Sequence, residues 1–272
     1  MTSTASADAE KPTENLPFKD TLGVEVVNLV VGPKRKEFSV HKKLICDSCD
    51  YFQKAFNGLF LEGVEGKIYM TEDSPDAVGL FVEWLYRRTI LLNRTHTQFN
   101  ALIKLYLLSE KWCLYDLGNA VIDAIKQYFW ISPDRPSHMD YLLPDVVSYI
   151  WSQTQEDSPL RKLCIERLAW IYSDETILNI VPGKDSLTKL WAVCRDHICF
   201  FTDFFAYYQN FNHGLKPRNP GRTPTHRGWI YDVCSFHYHA EGQKCLKNTE
   251  AAKEKKQDES EYDDFFADLT EK

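Results

Sequence analysis

The chain has 272 residues, 44% of them hydrophobic and 26% charged, and a formal net charge of −7. This length and hydrophobic content suffice for one large or two small folded domains. The acidic balance disfavours a general nucleic-acid binder, whose surface is usually basic, and no apolar run approaches the roughly 20 residues that a membrane span needs.

The amino-terminal residues 1–20 are polar and rich in Ser, Thr and Ala, which predicts a disordered leader. They lack the basic start and apolar core of a secretory signal. Eight cysteines are spread along the chain without such a signal, which favours reduced thiols in an intracellular protein, cytoplasmic or nuclear.

The first structured stretch begins at Val26. An apolar, β-branched run ends at Gly32-Pro33, and the alternating KEFSV follows. Because a buried strand, a turn and an alternating strand make a hairpin, we predict that Val26–Gly32 pairs with Lys36–His41.

The spacing of the apolar residues changes after His41. Apolar residues recur at three- and four-residue spacing, which predicts one face of a helical pair; they are Leu44, Ile45, Cys49, Phe52 and Phe56. Lys67–Met70 predicts a third strand, and Ser74-Pro75 predicts the cap and first turn of a further helix. Cys46 and Cys49 have CxxC spacing, but their place in the helical pair favours packing over metal or redox chemistry.

This stretch resembles a BTB (POZ) domain in the order and spacing of its residues. The residues that carry the resemblance are VVNLVVG, Phe38, His41, Leu44, Tyr51, Phe52, Phe56, Ile68, Met70, Ser74–Val78 and Phe81–Tyr86. The resemblance implies an α+β fold with a small mixed sheet, a role in protein–protein interaction, no catalytic site and a structural role for His41. Two amphipathic segments ending near Phe129 complete the family's fold, so the predicted domain spans 21–130.

A linker rich in proline, Ile131–His138, precedes a second, all-α region at 139–212. Ser158-Pro159 predicts the start of one of its helices. A long aromatic segment follows, from Asp185 to Phe211, and we expect it to pack on the two preceding helices as a small bundle. The alternative is an exposed aromatic groove for a partner. This arrangement of a BTB domain and a helical second half resembles fungal proteins of the BTB type.

Residues 213–246 are predicted to be rich in loops. Gly214–Gly228 carries Lys216, Arg218, Arg222 and Arg227 without interleaved aromatics, which favours a solvated loop over a phosphate-binding one.

The sequence CSFHYHAEGQKC brings Cys234, His237, His239 and Cys245 within twelve residues. Two thiolates and two imidazoles suit tetrahedral zinc, and a short polar segment gains most from a metal that fastens it. The spacing is not one of the common zinc-finger spacings, so the alternative is two buried cysteines and two surface histidines. With all four ligands from the protein, the zinc would be structural.

Residues 247–272 are predicted to be a disordered acidic tail. Within it, Phe265, Phe266 and Leu269 lie among carboxylates, a composition typical of a short segment that folds against a basic, apolar groove.

These features favour an interaction scaffold rather than an enzyme, because no nucleophile elbow, HExxH or phosphate-cradling glycine loop occurs. The resemblance implies protein partners and self-association, although Val26 stands where many family members have an aspartate that supports the homodimer. Met70-Thr71-Glu72 fits a hydrophobic-x-Glu motif of adaptors for cullin-type ubiquitin ligases. The alternative is a transcriptional regulator of the BTB type with a zinc-stabilised carboxyl-terminal segment.

Overall fold

The computed structural model of the protein describes residues 22–93, 95–129, 144–173, 183–209, 234–239 and 245. The expectations for the leader, the linker Ile131–His138, the loop Gly214–Gly228 and the acidic tail lie outside these residues. The chain divides into two compact units, Met1–Glu72 and Asp73–Lys272. The domain boundaries predicted at 130, 139, 213 and 247 stay predictions.

A three-stranded mixed sheet lies at the centre of the first unit. Strands β1 (Val26–Val31) and β2 (Lys36–His41) pair antiparallel, with Val26 opposite His41, which confirms the predicted hairpin. Strand β3 (Lys67–Met70) pairs parallel to β1, so the strand order is β2-β1-β3. The central strand is almost continuously buried from Val27 to Val31, as expected for a strand covered on both faces.

The predicted helical pair follows the hairpin directly. Helix α1 (Lys42–Ser48) and helix α2 (Asp50–Asn57) flank Cys49, and all five residues of the predicted face are buried. Cys46 and Cys49 are also buried, and burial raises the pKa of the Cys46 thiol. The burial of both thiols agrees with the packing interpretation of this CxxC pair.

His41 ends β2 at the point where the chain enters α1. It is partly buried, and its backbone lies opposite Val26 in the sheet. This position at the junction of hairpin and helix fits the structural role that the resemblance implies.

A short helix that the sequence analysis did not predict, α3 (Leu61–Glu65), connects α2 to β3. It has no buried residue, and Leu59, Phe60, Leu61 and Val64 on and before it are exposed. A helix without an apolar face towards a core leaves no periodic signal in the sequence.

The second unit begins with three helices of the predicted domain: α4 (Pro75–Arg87), α5 (His96–Lys111) and α6 (Tyr115–Phe129). Helix α5 packs against both α4 and α6. Ser74 precedes α4 as predicted, but among the described residues its side chain makes no capping hydrogen bond. Thr95 does cap α5, since its hydroxyl oxygen accepts from the Gln98 amide at 3.2 Å.

The remaining helices form the predicted bundle: α7 (Pro144–Gln153), α8 (Pro159–Ser173), α9 (Gly183–Asp196) and α10 (Ile198–Gln209). The long aromatic segment is not one helix, because α9 and α10 are separated at His197. Helix α9 packs on α7, and α10 packs on α8. A mixed three-stranded sheet with helices, followed by an all-α region, confirms the predicted fold class.

Candidate metal centre

The residues Cys234, His237, His239 and Cys245 converge into one group. Each offers one ligand atom, and the four atoms lie within 4.8 Å of one another. The Sγ of Cys245 is 3.5 Å from the Nδ1 of His237, which matches the roughly 3.6 Å between a sulfur and a nitrogen bound to the same tetrahedral zinc. The four residues predicted from the sequence can therefore hold a metal ion.

Local structure explains why the first three ligands point the same way. The amide of His237 donates to the carbonyl of Cys234 at 2.9 Å, which closes a turn over Cys234–Phe236. The chain then continues without regular structure through His239, and a ring nitrogen of each histidine reaches the same group of ligand atoms. Their ring centroids are 5.8 Å apart.

Both histidines are more enclosed than the alternative of surface histidines requires. The side chain of His237 is only 2% exposed. The Nε2 of His239 is buried and has no hydrogen-bond partner among the described residues. Because a buried ring nitrogen without a partner is costly, a bound cation is a physically reasonable occupant of this space.

Asp123 of α6 lies against the outer side of His237. Its Oδ1 is 3.1 Å from His237 Nε2, an ion-pair distance, although the direction of this contact is not that of a good hydrogen bond. Burial lowers the pKa of His237, but Asp123 and, to a smaller extent, Cys245 more than offset this, so the pKa is raised. The two ring nitrogens thus have different neighbours, a carboxylate at Nε2 and a thiol at Nδ1.

The segment that carries the ligands is docked on α6. Asn119 holds the main chain of Tyr238 in both directions, since its amide donates to the carbonyl and its oxygen accepts from the amide, each at 2.9 Å. The rings of Tyr115 and Tyr238 lie 4.3 Å apart.

Helix α8 contributes to the same docking. The Nζ of Lys162 donates to the carbonyl of Ser235 at 2.8 Å. Phe236 is 1% exposed, and the ammonium groups of Lys126 and Lys162 lie 5.5 and 5.4 Å from its ring centroid. The segment is thus fixed by main-chain hydrogen bonds, one buried ring and two cations.

The residues that hold this segment were not predicted from the sequence, although one pattern points to them. Tyr115, Asn119, Asp123 and Lys126 recur at spacings of four, four and three along α6. Such spacing places them in one stripe, beside the buried apolar face of the helix.

The other predicted site residues are not part of this group. Met70 is 6% exposed at the end of β3, whereas Thr71 and Glu72 are exposed. Phe265, Phe266 and Leu269 lie outside the described residues.

None of the helices in the described part of the chain is both long and apolar enough to cross a membrane. A comparison with curated proteins gives no match. A comparison with protein families gives the BTB/POZ domain, matched by residues 24–127, from just before β1 to near the end of α6. The chain therefore contains a BTB/POZ domain, a protein-interaction module, at residues 24–127.

Proposed function

We propose that the chain is a non-enzymatic interaction scaffold. It joins a BTB/POZ domain to a helical region and to a segment, Cys234–Cys245, that a bound metal stabilises. The observation that carries this proposal is the match of residues 24–127 to an interaction domain. The exposed apolar residues Leu59, Phe60, Leu61 and Val64 support it, because a contiguous apolar surface is typical of a protein-binding site.

Within this scaffold, we propose that Glu72 contributes to binding a cullin-type ubiquitin ligase, so that the chain acts as a substrate adaptor. Glu72 is exposed directly after β3, where a partner can reach it. Met70 is buried in the sheet, so the hydrophobic member of the motif supports the strand rather than the surface. The adaptor role therefore depends on Glu72 and its exposed neighbours.

A binding experiment with the purified full chain and the amino-terminal region of a cullin tests this role. We expect Glu72→Lys to abolish binding and Glu65→Lys, which changes another exposed carboxylate of the same unit, to leave it intact. If the wild-type chain does not bind, the adaptor role is wrong and the general scaffold remains.

We also propose that the group Cys234, His237, His239 and Cys245 holds one structural zinc ion. The support is the convergence of four ligand atoms and the buried Nε2 of His239. Four protein ligands fill a tetrahedral zinc site, so the ion would stabilise the segment rather than activate a substrate. Elemental analysis of untagged protein should find one zinc per chain, and its absence at near-neutral pH, with stability unchanged by chelator, would refute the site.

The alternative function is transcriptional regulation, with the zinc-stabilised segment contacting nucleic acid. The basic sequence Gly214–Gly228 favours this alternative, since its four cationic residues precede the candidate metal ligands along the chain. The net charge of −7 opposes it.

A further inference from the structure

The imidazole of His237 lies between Cys245, a residue of its own segment, and helix α6, which is far from that segment in the sequence. Its Nδ1 is 3.5 Å from the Sγ of Cys245, on the side of the metal ligands. Its Nε2 is 3.1 Å from the carboxylate of Asp123, on helix α6. A histidine that binds a metal through one ring nitrogen generally directs the other towards a carboxylate or carbonyl, which fixes the tautomer and orients the ring.

We propose that Asp123 is the outer-sphere partner of the metal centre: it holds His237 with the proton on Nε2 and Nδ1 directed at the ion. The inference rests on the zinc site proposed above. Its consequence is that the metal fastens the carboxyl-terminal segment to the last helix of the BTB/POZ domain, because Asp123 lies within the matched residues 24–127. Asp123 is thus a positioning residue and does not itself bind the metal.

The neighbours of Asp123 on α6 also contact the segment that carries His237. Asn119, one turn before Asp123, makes paired hydrogen bonds with the main chain of Tyr238. Lys126, one turn after it, lies 3.9 Å from the Asp123 carboxylate and over the ring of Phe236. The carboxylate is therefore flanked by contacts that fix the segment on both sides of His237.

The arrangement also explains how a short segment without a core of its own can be held in place. The hydrogen bonds from Asn119 and Lys162 hold the main chain of Tyr238 and Ser235, and none of these contacts involves an ion. Since the ligands are partly preorganised, the metal loses less of its binding free energy to ordering the chain.

Zinc affinity of the 272-residue chain, measured under reducing conditions by competition with a chromophoric chelator, tests the inference. We expect Asp123→Asn to weaken zinc binding by about 10- to 100-fold, the range for outer-sphere partners of metal ligands. The matched control is Asp116→Asn, because Asp116 is an exposed carboxylate near the start of the same helix. Its zinc affinity should equal that of the wild type.

A spectroscopic measurement separates positioning from a purely structural role. Cobalt(II) bound to the Asp123→Asn variant should keep the absorption of a tetrahedral site with two thiolates, with only the affinity reduced. The variant and wild type should melt at similar temperatures in the presence of chelator. Equal zinc affinities, or an equal loss of stability with and without zinc, would overturn the role of Asp123.

The wild-type chain provides a test that does not depend on any variant folding. Nitrogen NMR of the zinc-loaded protein should show His237 protonated at Nε2 and metal-bound at Nδ1; the opposite tautomer would refute the inference. If the wild type binds no zinc, the metal proposal itself fails. If it binds zinc with the tautomer reversed, the metal proposal stands and only the role of Asp123 is lost.

Discussion

Three charged side chains on α8 are buried: Arg161, Glu166 and Arg167. Arg161 donates hydrogen bonds to the carbonyls of Trp151 and Thr154 and so satisfies groups at the end of α7. The guanidinium of Arg167 lies over the rings of Phe129 and Trp170, and burial lowers its pKa to about 9. The sequence predicts an amphipathic helix here, with its polar side towards solvent, but these three charged side chains are buried inside the protein.

Glu166 makes the stability of the protein depend on pH. Burial raises its pKa from 4.5 to about 7, although Lys162 and Lys126 oppose the shift. At a pH between 4.5 and about 7, this carboxyl carries its proton in the folded state and is ionised in the unfolded state. Stability contributed by its neutral form is therefore complete below pH 4.5 and decreases as the pH rises to about 7.

We expect Glu166→Gln to be more stable than the wild type at pH 8, by about 2–3 kcal/mol, and this advantage to vanish as the pH falls towards 4. Denaturant unfolding across this pH range measures the difference. Glu156→Gln, which removes a charge from an exposed position before the same helix, is the control. An advantage that does not change with pH would contradict the assignment.

At the scale of single elements, α10 differs most from its expected packing. Phe200 is completely buried, with its ring 4.9 Å from Trp151 and 5.6 Å from Phe204. Phe201 and Phe205, however, are 41% and 48% exposed and stack on each other at 5.7 Å. The helix packs on the bundle as predicted, but one aromatic face remains at the surface, as in the alternative of an exposed aromatic groove.

The two phenylalanines at 200 and 201 form a matched pair for testing this orientation. Phe200→Ala should lower the free energy of unfolding by about 3–5 kcal/mol, because it removes a ring from the core and leaves a cavity. Phe201→Ala should cost less than about 1 kcal/mol, since much of its ring already contacts solvent. Unfolding followed by tryptophan fluorescence measures both, and similar losses would show that the helix is oriented differently.

At the scale of the whole molecule, the net charge of −7 separates the two candidate functions. Nucleic-acid affinity depends on releasing counterions by neutralising phosphates, which requires a basic surface. An interaction scaffold has no such requirement.

We therefore expect the zinc-loaded, 272-residue chain to show no binding to duplex DNA at roughly 150 mM salt. Fluorescence polarisation with a labelled duplex of mixed sequence measures this, and a basic DNA-binding domain serves as the positive control. Binding that weakens steeply with rising salt would support the transcriptional alternative and count against the scaffold.

Most of the BTB/POZ domain could be predicted from the sequence. The hairpin, the α1–α2 pair, β3 and α4 to α6 follow from local periodicity and turn residues, which act over a few neighbouring positions. The group of candidate metal ligands was also predictable, because all four residues lie within twelve positions. Helix α3 was not predicted, since it buries no residue and so leaves no periodic pattern.

The three strands, most of the helices and the four candidate ligands could be predicted from the sequence alone, because each depends on residues close together along the chain. Tertiary structure alone decided that β3 pairs parallel to β1, that the charges of α8 are buried and that Asn119 meets Tyr238, 119 positions away. It also decided that Asp123 faces His237. Such partners are chosen by packing, which selects among many compatible surfaces and leaves no periodic pattern in the sequence.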